Sequence, residues 1–314
     1  MDKIYIVGGG ASGMMAAIQA KTKDNEIILL EKNDRVGKKI LATGNGKCNL
    51  GNENLSVDCY YSKNSSFVEQ VLKRYDTESA VSFFDSIGLK VRSKNGYLYP
   101  YAEQASVVLD VLRMELERRS IQVKPGVQIT DCTPLINKRG YLLKTPDGRS
   151  YEADRVILAC GGPASLKEGG KDGYNILQKL GLKTYPLVPG LVQLRTDGKE
   201  QKALSGVRCK ASLRLFADGI QQGSEQGELQ LTDYGISGIP VFQLSRVAAY
   251  ALRNRKSVMV QIDFTPEYSY DEIVTYLLEQ QNLRKDQTVD ELLTGFLNKK
   301  INLVFLKKCQ IAGN

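Results

Sequence analysis

Ile4-Tyr5-Ile6-Val7-Gly8-Gly9-Gly10-Ala11-Ser12-Gly13-Met14 is the stretch on which the fold of this chain turns. Four consecutive apolar residues suit a strand buried on both faces of a parallel sheet. The glycine run then breaks the strand, and Met14, Ala17 and Ile18 set one apolar side of a helix over Met14 to Lys21. Ile27-Ile28-Leu29-Leu30 is a second buried strand, ending at Glu31. Together these residues predict one right-handed βαβ unit.

Within that unit Gly8-x-Gly10-x-x-Gly13 has a specific reading. Gly8 supplies the backbone angles of the turn, Gly10 lets a pyrophosphate approach, and Gly13 lets helix pack on strand. The helix N-terminus offers free N–H groups to phosphates. Glu31, at the end of the second strand, is placed to accept hydrogen bonds from a ribose diol. A carboxylate there disfavours a ribose 2′-phosphate, so FAD or NAD is expected rather than NADP. The second glycine-rich, polar loop, Arg35 to Asn49, favours FAD.

Composition narrows the chemistry further. The 314 residues include no histidine, which excludes Ser-His-Asp and Cys-His nucleophile pairs and His-ligated zinc. The six cysteines form no CxxC pair, so no metal site is expected and the thiols read as reduced and cytoplasmic. No apolar run approaches the about 20 residues of a membrane span. The glycines at 8, 9, 10 and 13 break the only segment that could pass for a signal peptide. Lys and Arg total 43 against 35 Asp and Glu, a net charge of +8. The excess is dispersed, except from Glu31 to Asn49, where Lys32, Arg35, Lys38, Lys39 and Lys47 suit a small anionic ligand. Nucleic acid is therefore not the expected partner; a small-molecule substrate is. Oligomeric state is not legible.

Further along, amphipathic helices are expected around Phe67–Tyr75, Ala80–Ile87 and Glu103–Arg119. Short strands follow between Ile121 and Asp154, with a Pro146-Asp147-Gly148 turn, and most simply extend the first sheet. Val156 to Ala159 is another buried strand, ending in Cys160-Gly161-Gly162. From about Pro186 the pattern changes. Ala211, Leu213, Leu215 and Ala217 alternate with polar or outward residues, as in a half-buried antiparallel strand. Helices near Ile239–Leu252, Tyr270–Glu279 and Val289–Leu297 accompany it.

At the second glycine loop the chain resembles a known family, the FAD-dependent oxidoreductases that include aminoacetone oxidases and 3-dehydro-bile-acid reductases. Its GKKxLxTGxGxCN signature is similar to Gly37 to Asn49. Further matches are Tyr99-Pro100 with Ala105–Val108, Val156–Gly162, Asp172-Gly173-Tyr174, Gly235–Pro240 and Asn302–Lys307. The resemblance implies an α/β fold: a Rossmann-like FAD-binding domain with a parallel sheet over 1–185, plus a second, inserted α+β domain over 186–314. It implies FAD as cofactor and NAD(P)H as electron donor. Carried over residue by residue, Gly8, Gly10, Ala11, Ser12 and Gly13 hold the pyrophosphate, and Glu31 and Lys32 lie at the adenosine. Lys39, Thr43, Gly44, Asn45, Cys48, Asn49 and Gly161 belong to the flavin side, and Val127 lies on a strand beneath the adenine. Cys48 reads as a packed thiol rather than a nucleophile. Tyr97, Tyr99 and Tyr101 alternate, as residues of a strand or as a stack near the flavin. Family members continue into a glycine-rich segment beside the flavin ring, so the chain resembles a shortened member, expected to hold FAD less tightly. A nucleotide-binding remnant and an RNA-modifying flavoprotein are the alternatives.

Overall fold

Ile4 and Ile6 point to one face of the first strand and Tyr5 and Val7 to the other, and all four are buried. This two-sided burial governs the first unit of the computed structural model, which describes residues 1–43, 46–164 and 172–311. The chain divides into two units, Met1–Thr184 and Tyr185–Asn314.

In the first unit the elements run β1 (Asp2–Val7), α1 (Ala11–Ala20), β2 (Asn25–Glu31), α2 (Lys38–Leu41), β3 (Gly51–Asn52), α3 (Ser65–Arg74), α4 (Thr77–Ser86), β4 (Val91–Lys94), β5 (Tyr97–Pro100), α5 (Ala105–Arg118), β6 (Gln122–Pro125), β7 (Asp131–Pro134), β8 (Tyr141–Lys144), β9 (Ser150–Ala153), β10 (Arg155–Leu158) and α6 (Asp172–Lys179). A parallel sheet has the order β10-β1-β2-β6, with Tyr5 opposite Ile28 and Val156. On one face Ile4, Ile6, Ile27 and Leu29 pack with Met14, Ala17 and Ile18 of α1 and Val108, Leu109 and Leu112 of α5. On the other, Tyr5, Val7, Ile28 and Leu30 meet Cys132, Leu143, Ala153 and Ile176. Each fully buried Leu or Ile contributes about 1.5–3 kcal/mol.

Two expectations are corrected here. Strands β7, β8 and β9 do not extend the parallel sheet; they form their own antiparallel sheet in the order β7-β8-β9. The reason is local: short turns return the chain on itself, which makes antiparallel pairs, and β10 and β2 already occupy both edges of β1. Among the strands expected between Ile121 and Asp154, β6 joins the parallel sheet, at the far edge of β2. The first helix also starts three residues early, at Ala11, because Gly10 in extended backbone acts as its N-cap. A third small sheet, β3-β5-β4, carries Tyr97 and Tyr99.

The second unit contains β11 (Leu194–Arg195), α7 (Gln201–Leu204), β12 (Arg208–Ala217), β13 (Ile220–Thr232), β14 (Gly235–Ser237), α8 (Ile239–Arg253), β15 (Val258–Asp263), α9 (Tyr270–Leu283), α10 (Val289–Leu293) and α11 (Lys299–Lys308). Its antiparallel sheet has the order β11-β14-β13-β12-β15. The alternation read from β12 holds: Ala211, Leu213, Leu215 and Ala217 are buried, the first three in one core with Val241, Leu244 and Ala248 of α8. Ser269 with Glu272, and Thr288 with Glu291, form reciprocal capping boxes that start α9 and α10. Among the described residues no helix is long and apolar enough to cross a membrane. All six cysteines are free thiols.

Candidate functional site

The turn from β1 into α1 forms the floor of a cavity of about 440 Å³ in the first unit. Each glycine in it answers to a different constraint. Gly8 has φ +110°, and a Cβ there would stand 2.3 Å from the carbonyl oxygen of Ala159 on the neighbouring segment. A Cβ on Gly13 would stand 1.8 Å from the oxygen of Gly8, so the helix closes on the turn only without a side chain. Gly10 differs from both: nothing lies within 4 Å of a Cβ built there. Its side faces open space, as a residue approached by a ligand requires. The first hydrogen bond of α1 runs from Met14 N to Gly10 O, leaving the N–H groups of the first turn free of helical partners.

Glu31 supplies the charged wall. It is 7% exposed, and its Oε2 accepts from Gly9 N at 2.7 Å. Oε1 accepts from Asn33 N at 2.8 Å and Asn33 Nδ2 at 2.5 Å. The carboxylate thus ties the end of β2 to the glycine turn, while Oε2, with one donor, keeps acceptor capacity for a further one. Val127 also lines the cavity, but it does not lie on a strand. β6 ends at Pro125, Gly126 turns with φ +69°, and Val127 follows in irregular backbone with its N–H bonded to Glu31 O at 2.8 Å. The strand expected at Val127 is therefore one turn too long, because the apolar pattern continues through Val127 and Ile129 after the ladder has stopped.

The cavity brings together Gly8, Gly10, Ala11, Ser12, Glu31, Lys32, Lys39, Val127 and Gly161. Gly13 lies behind them, at the helix–strand contact. Lys39 reaches from α2 across to the loop after β10, where its Nζ donates to Gly162 O at 2.6 Å. Thr43, Cys48 and Asn49 do not line this cavity. Cys48, at φ +58°, packs against the first core, and burial pushes its thiol up. Asn49 Oδ1 accepts from Gly51 N at 2.9 Å, a local turn that opens β3. Gly44 and Asn45 lie outside the described residues. Tyr97 and Tyr101 are exposed and line no part of the cavity; the Arg92 guanidinium stands over the Tyr101 ring at 5.2 Å.

Several wall residues escape the motif. Gly9 is one: a Cβ there would meet Val36 Cγ1 at 2.5 Å, and its N–H is the donor to Glu31. Gly37 is another, at φ +80°, with its N–H on Gly9 O at 2.8 Å. Both are glycines inside stretches already singled out, so the signal was present. Cys160 also lines the cavity; burial, reinforced by the negative charge of Asp172, pushes its thiol up to about 11, so it is no nucleophile at neutral pH. Gln128 and Asp172 complete one end, and no sequence pattern marks Gln128. Among the described residues no group of His, Cys, Asp or Glu could hold a metal ion.

Comparison with known proteins identifies the family of the chain. A family model described as HI0933-like protein Rossmann domain matches residues 2–246, and one described as HI0933-like protein barrel and H2TH domain matches residues 188–314. The 3-dehydro-bile acid delta(4,6)-reductase of Clostridium scindens is 40% identical over 304 residues, 96% of this chain and 74% of that protein. The ribosomal RNA dihydrouridine synthases of Haemophilus influenzae and Escherichia coli are 25% and 24% identical, each over 94% of this chain and over 72% and 71% of their own length. With most of its length matched by the first model and two fifths of its residues shared with the reductase, the chain belongs to the HI0933-like family of FAD-dependent oxidoreductases.

Proposed function

We propose that the chain holds FAD with its ADP half in the 440 Å³ cavity and reduces a small organic substrate at an activated C=C or C=O, with NAD(P)H as electron donor. The observation that carries this reading is the pairing of an open Gly10 with a buried Glu31 in one cavity. The residues fit the group: Gly10 leaves space for a pyrophosphate, Ala11 and Ser12, whose N–H groups have no helical partner, line the same cavity, and Glu31 Oε2 retains an acceptor site for the ribose. When bound, FAD would supply the two-electron hydride chemistry that the chain's own residues lack.

The chain's own residues bind and orient. Lys32 and Lys38 line the cavity but have acid partners, Asp172 at 3.7 Å and Asp34 at 2.6 Å. Lys39 bonds a neutral carbonyl, so its charge is available to an anionic cofactor. In this reading residues 1–185 carry the cofactor, with Thr43, Cys48 and Asn49 toward the flavin, and residues 186–314 shape the substrate side. The free thiols fit a reducing compartment, hence the cytoplasm. The 40% identity to a bile-acid reductase supports a small-molecule substrate. A second reading, reduction of a base in RNA, draws on the two synthases at 25% and 24%. Salt-dependent retention of ribosomal RNA on a filter would favour it.

The test is a visible spectrum of the purified chain after incubation with FAD and desalting. Retained flavin absorption, bleached anaerobically by NADH or NADPH, is the expected result. A protein that retains no flavin and binds no ADP overturns the assignment of this cavity.

A further inference from the structure

The second unit holds a cavity of about 570 Å³ that shares no residue with the glycine-lined one. It opens among α9, α10 and α11, beside the end of β15. Ile273 and Leu277 of α9 and Leu292 and Leu293 of α10 line it, yet no residue of either helix is fully buried. Phe305 of α11 lines it too and is left 41% exposed. The helices thus gather apolar side chains around a space that those side chains do not fill. Its volume is that of a small-molecule site.

Asn302 of α11 is the fully buried polar residue in this wall. It is 1% exposed, and its Nδ2 donates to Leu293 O at 2.7 Å and to Leu297 O at 3.2 Å. Those two bonds fix the amide, since a flip would set its oxygen against two carbonyls. Oδ1 is left buried with no hydrogen-bond partner among the described residues. A buried acceptor without a donor is unfavourable. Water is a poor remedy, because an ordered water needs about two to four polar partners and this wall is mostly apolar. No Lys or Arg lines the cavity among the described residues, and its one charged side chain is the carboxylate of Asp263.

The geometry points to a site for a neutral apolar molecule carrying one hydroxyl, whose O–H donates to Asn302 Oδ1 while its hydrocarbon body covers the apolar sides of α9, α10 and α11. A pure hydrocarbon would leave Oδ1 unpaired. A carboxylate would bring a further acceptor, and a charge of the same sign as that of Asp263. The site needs no cofactor, so it stands independently of the FAD reading.

Calorimetric titration of the full chain with decanol, methyl nonyl ether and decanoate tests it. The alcohol and the ether have the same number of heavy atoms, and only the alcohol carries a donor. Decanol should bind about tenfold more tightly than the ether, the ratio expected when a buried acceptor gains its partner. Decanoate should bind more weakly than decanol. Leu277→Trp, which puts an indole into the cavity, should abolish decanol binding and leave Tm near the parent's. Should that variant fail to fold, Ile273→Phe is the milder filling, with the same expectation. Equal affinity for alcohol and ether, or decanol binding that survives in a folded filling variant, overturns the proposal. So does a chain that sediments as a dimer and takes no decanol, which assigns the apolar face to a second copy.

Discussion

Gly10 and Gly13 stand three residues apart in one motif, yet alanine at the two positions should have opposite consequences. At Gly13 the added methyl would sit 1.8 Å from the carbonyl oxygen of Gly8, a backbone atom that no rotamer change can move. Helix propensity alone would favour alanine by about 0.5–1 kcal/mol. Overpacking against fixed backbone costs about 1–3 kcal/mol or more, and the contact is short enough to place the cost at the upper end. The net is a loss of about 2 kcal/mol, a fall in Tm of roughly 4–8 °C for a unit of this size. At Gly10 no atom lies within 4 Å, and the backbone, at φ −78°, suits any residue. Alanine there lowers the entropy of the unfolded chain, worth about 0.4–1 kcal/mol, but it is a poorer N-cap than glycine by a similar amount. Stability should therefore stay within about 0.5 kcal/mol, a change of roughly 2 °C or less. Binding should weaken, because the methyl occupies the space left for the pyrophosphate; ADP affinity should fall about tenfold or more. Thermal melts and ADP titrations of both variants decide the matter. A Gly10→Ala protein that binds ADP normally, or a Gly13→Ala protein that melts like the parent, would refute the reasoning.

Three further outcomes follow from particular contacts. Glu31→Ala strips the acceptor from Gly9 N and from both nitrogens of Asn33, and should cost about 2–3 kcal/mol by chemical denaturation, with loss of ADP binding. Glu115, buried on α5 and held by the Arg118 and Arg119 guanidiniums, has its carboxyl lowered to about 2. A depressed folded pKa gives stability that is present above the unfolded value, about 4.3, and lost as pH falls through the folded one. The Tm of Glu115→Gln should accordingly fall less steeply than the parent's between pH 4.5 and 2. Cys160 should resist alkylation at pH 7, whereas Cys59, exposed and lowered by the backbone N–H and hydroxyl of Ser56, should be labelled early, as read by peptide mass spectrometry.

The first βαβ unit was legible because both signals that specify it are local. The apolar runs at Ile4–Val7 and Ile27–Leu30 carry their burial in their own composition, and the glycines mark the turn between them. The alternation in β12 was legible for the same reason, since one face is buried and the other is not. Partner choice was not legible. Nothing in Asp131–Pro134 or Tyr141–Lys144 states that β7 and β8 pair with each other and not with β6, because strand pairing is settled by which edges remain free. The far wall of the cavity shares that difficulty: Gln128 and Asp172 meet at 3.1 Å although 44 residues separate them. Gly9 was hidden differently, inside a motif whose three marked glycines drew the reading away from the fourth.

Lys39 gives the sharpest separation of fold from function in the cavity. Its Nζ donates to Gly162 O at 2.6 Å, and Gly161 beside it holds φ +70°. If the side chain served only to brace that loop, an amide donor would replace it. If it serves an anionic cofactor, its charge is the part that counts, since Lys32 and Lys38 have Asp172 and Asp34 for neighbours. Lys39→Gln retains a donor and removes the charge. Its Tm should stay close to the parent's, since Gln still donates to Gly162 O and replacing a charged donor by a neutral one changes a partly exposed hydrogen bond by only about 1 kcal/mol. Its FAD affinity should fall at low salt, and the fall should shrink as salt is raised, because screening weakens the parent's advantage. Equal FAD affinity of parent and variant at low salt would assign Lys39 to the loop alone.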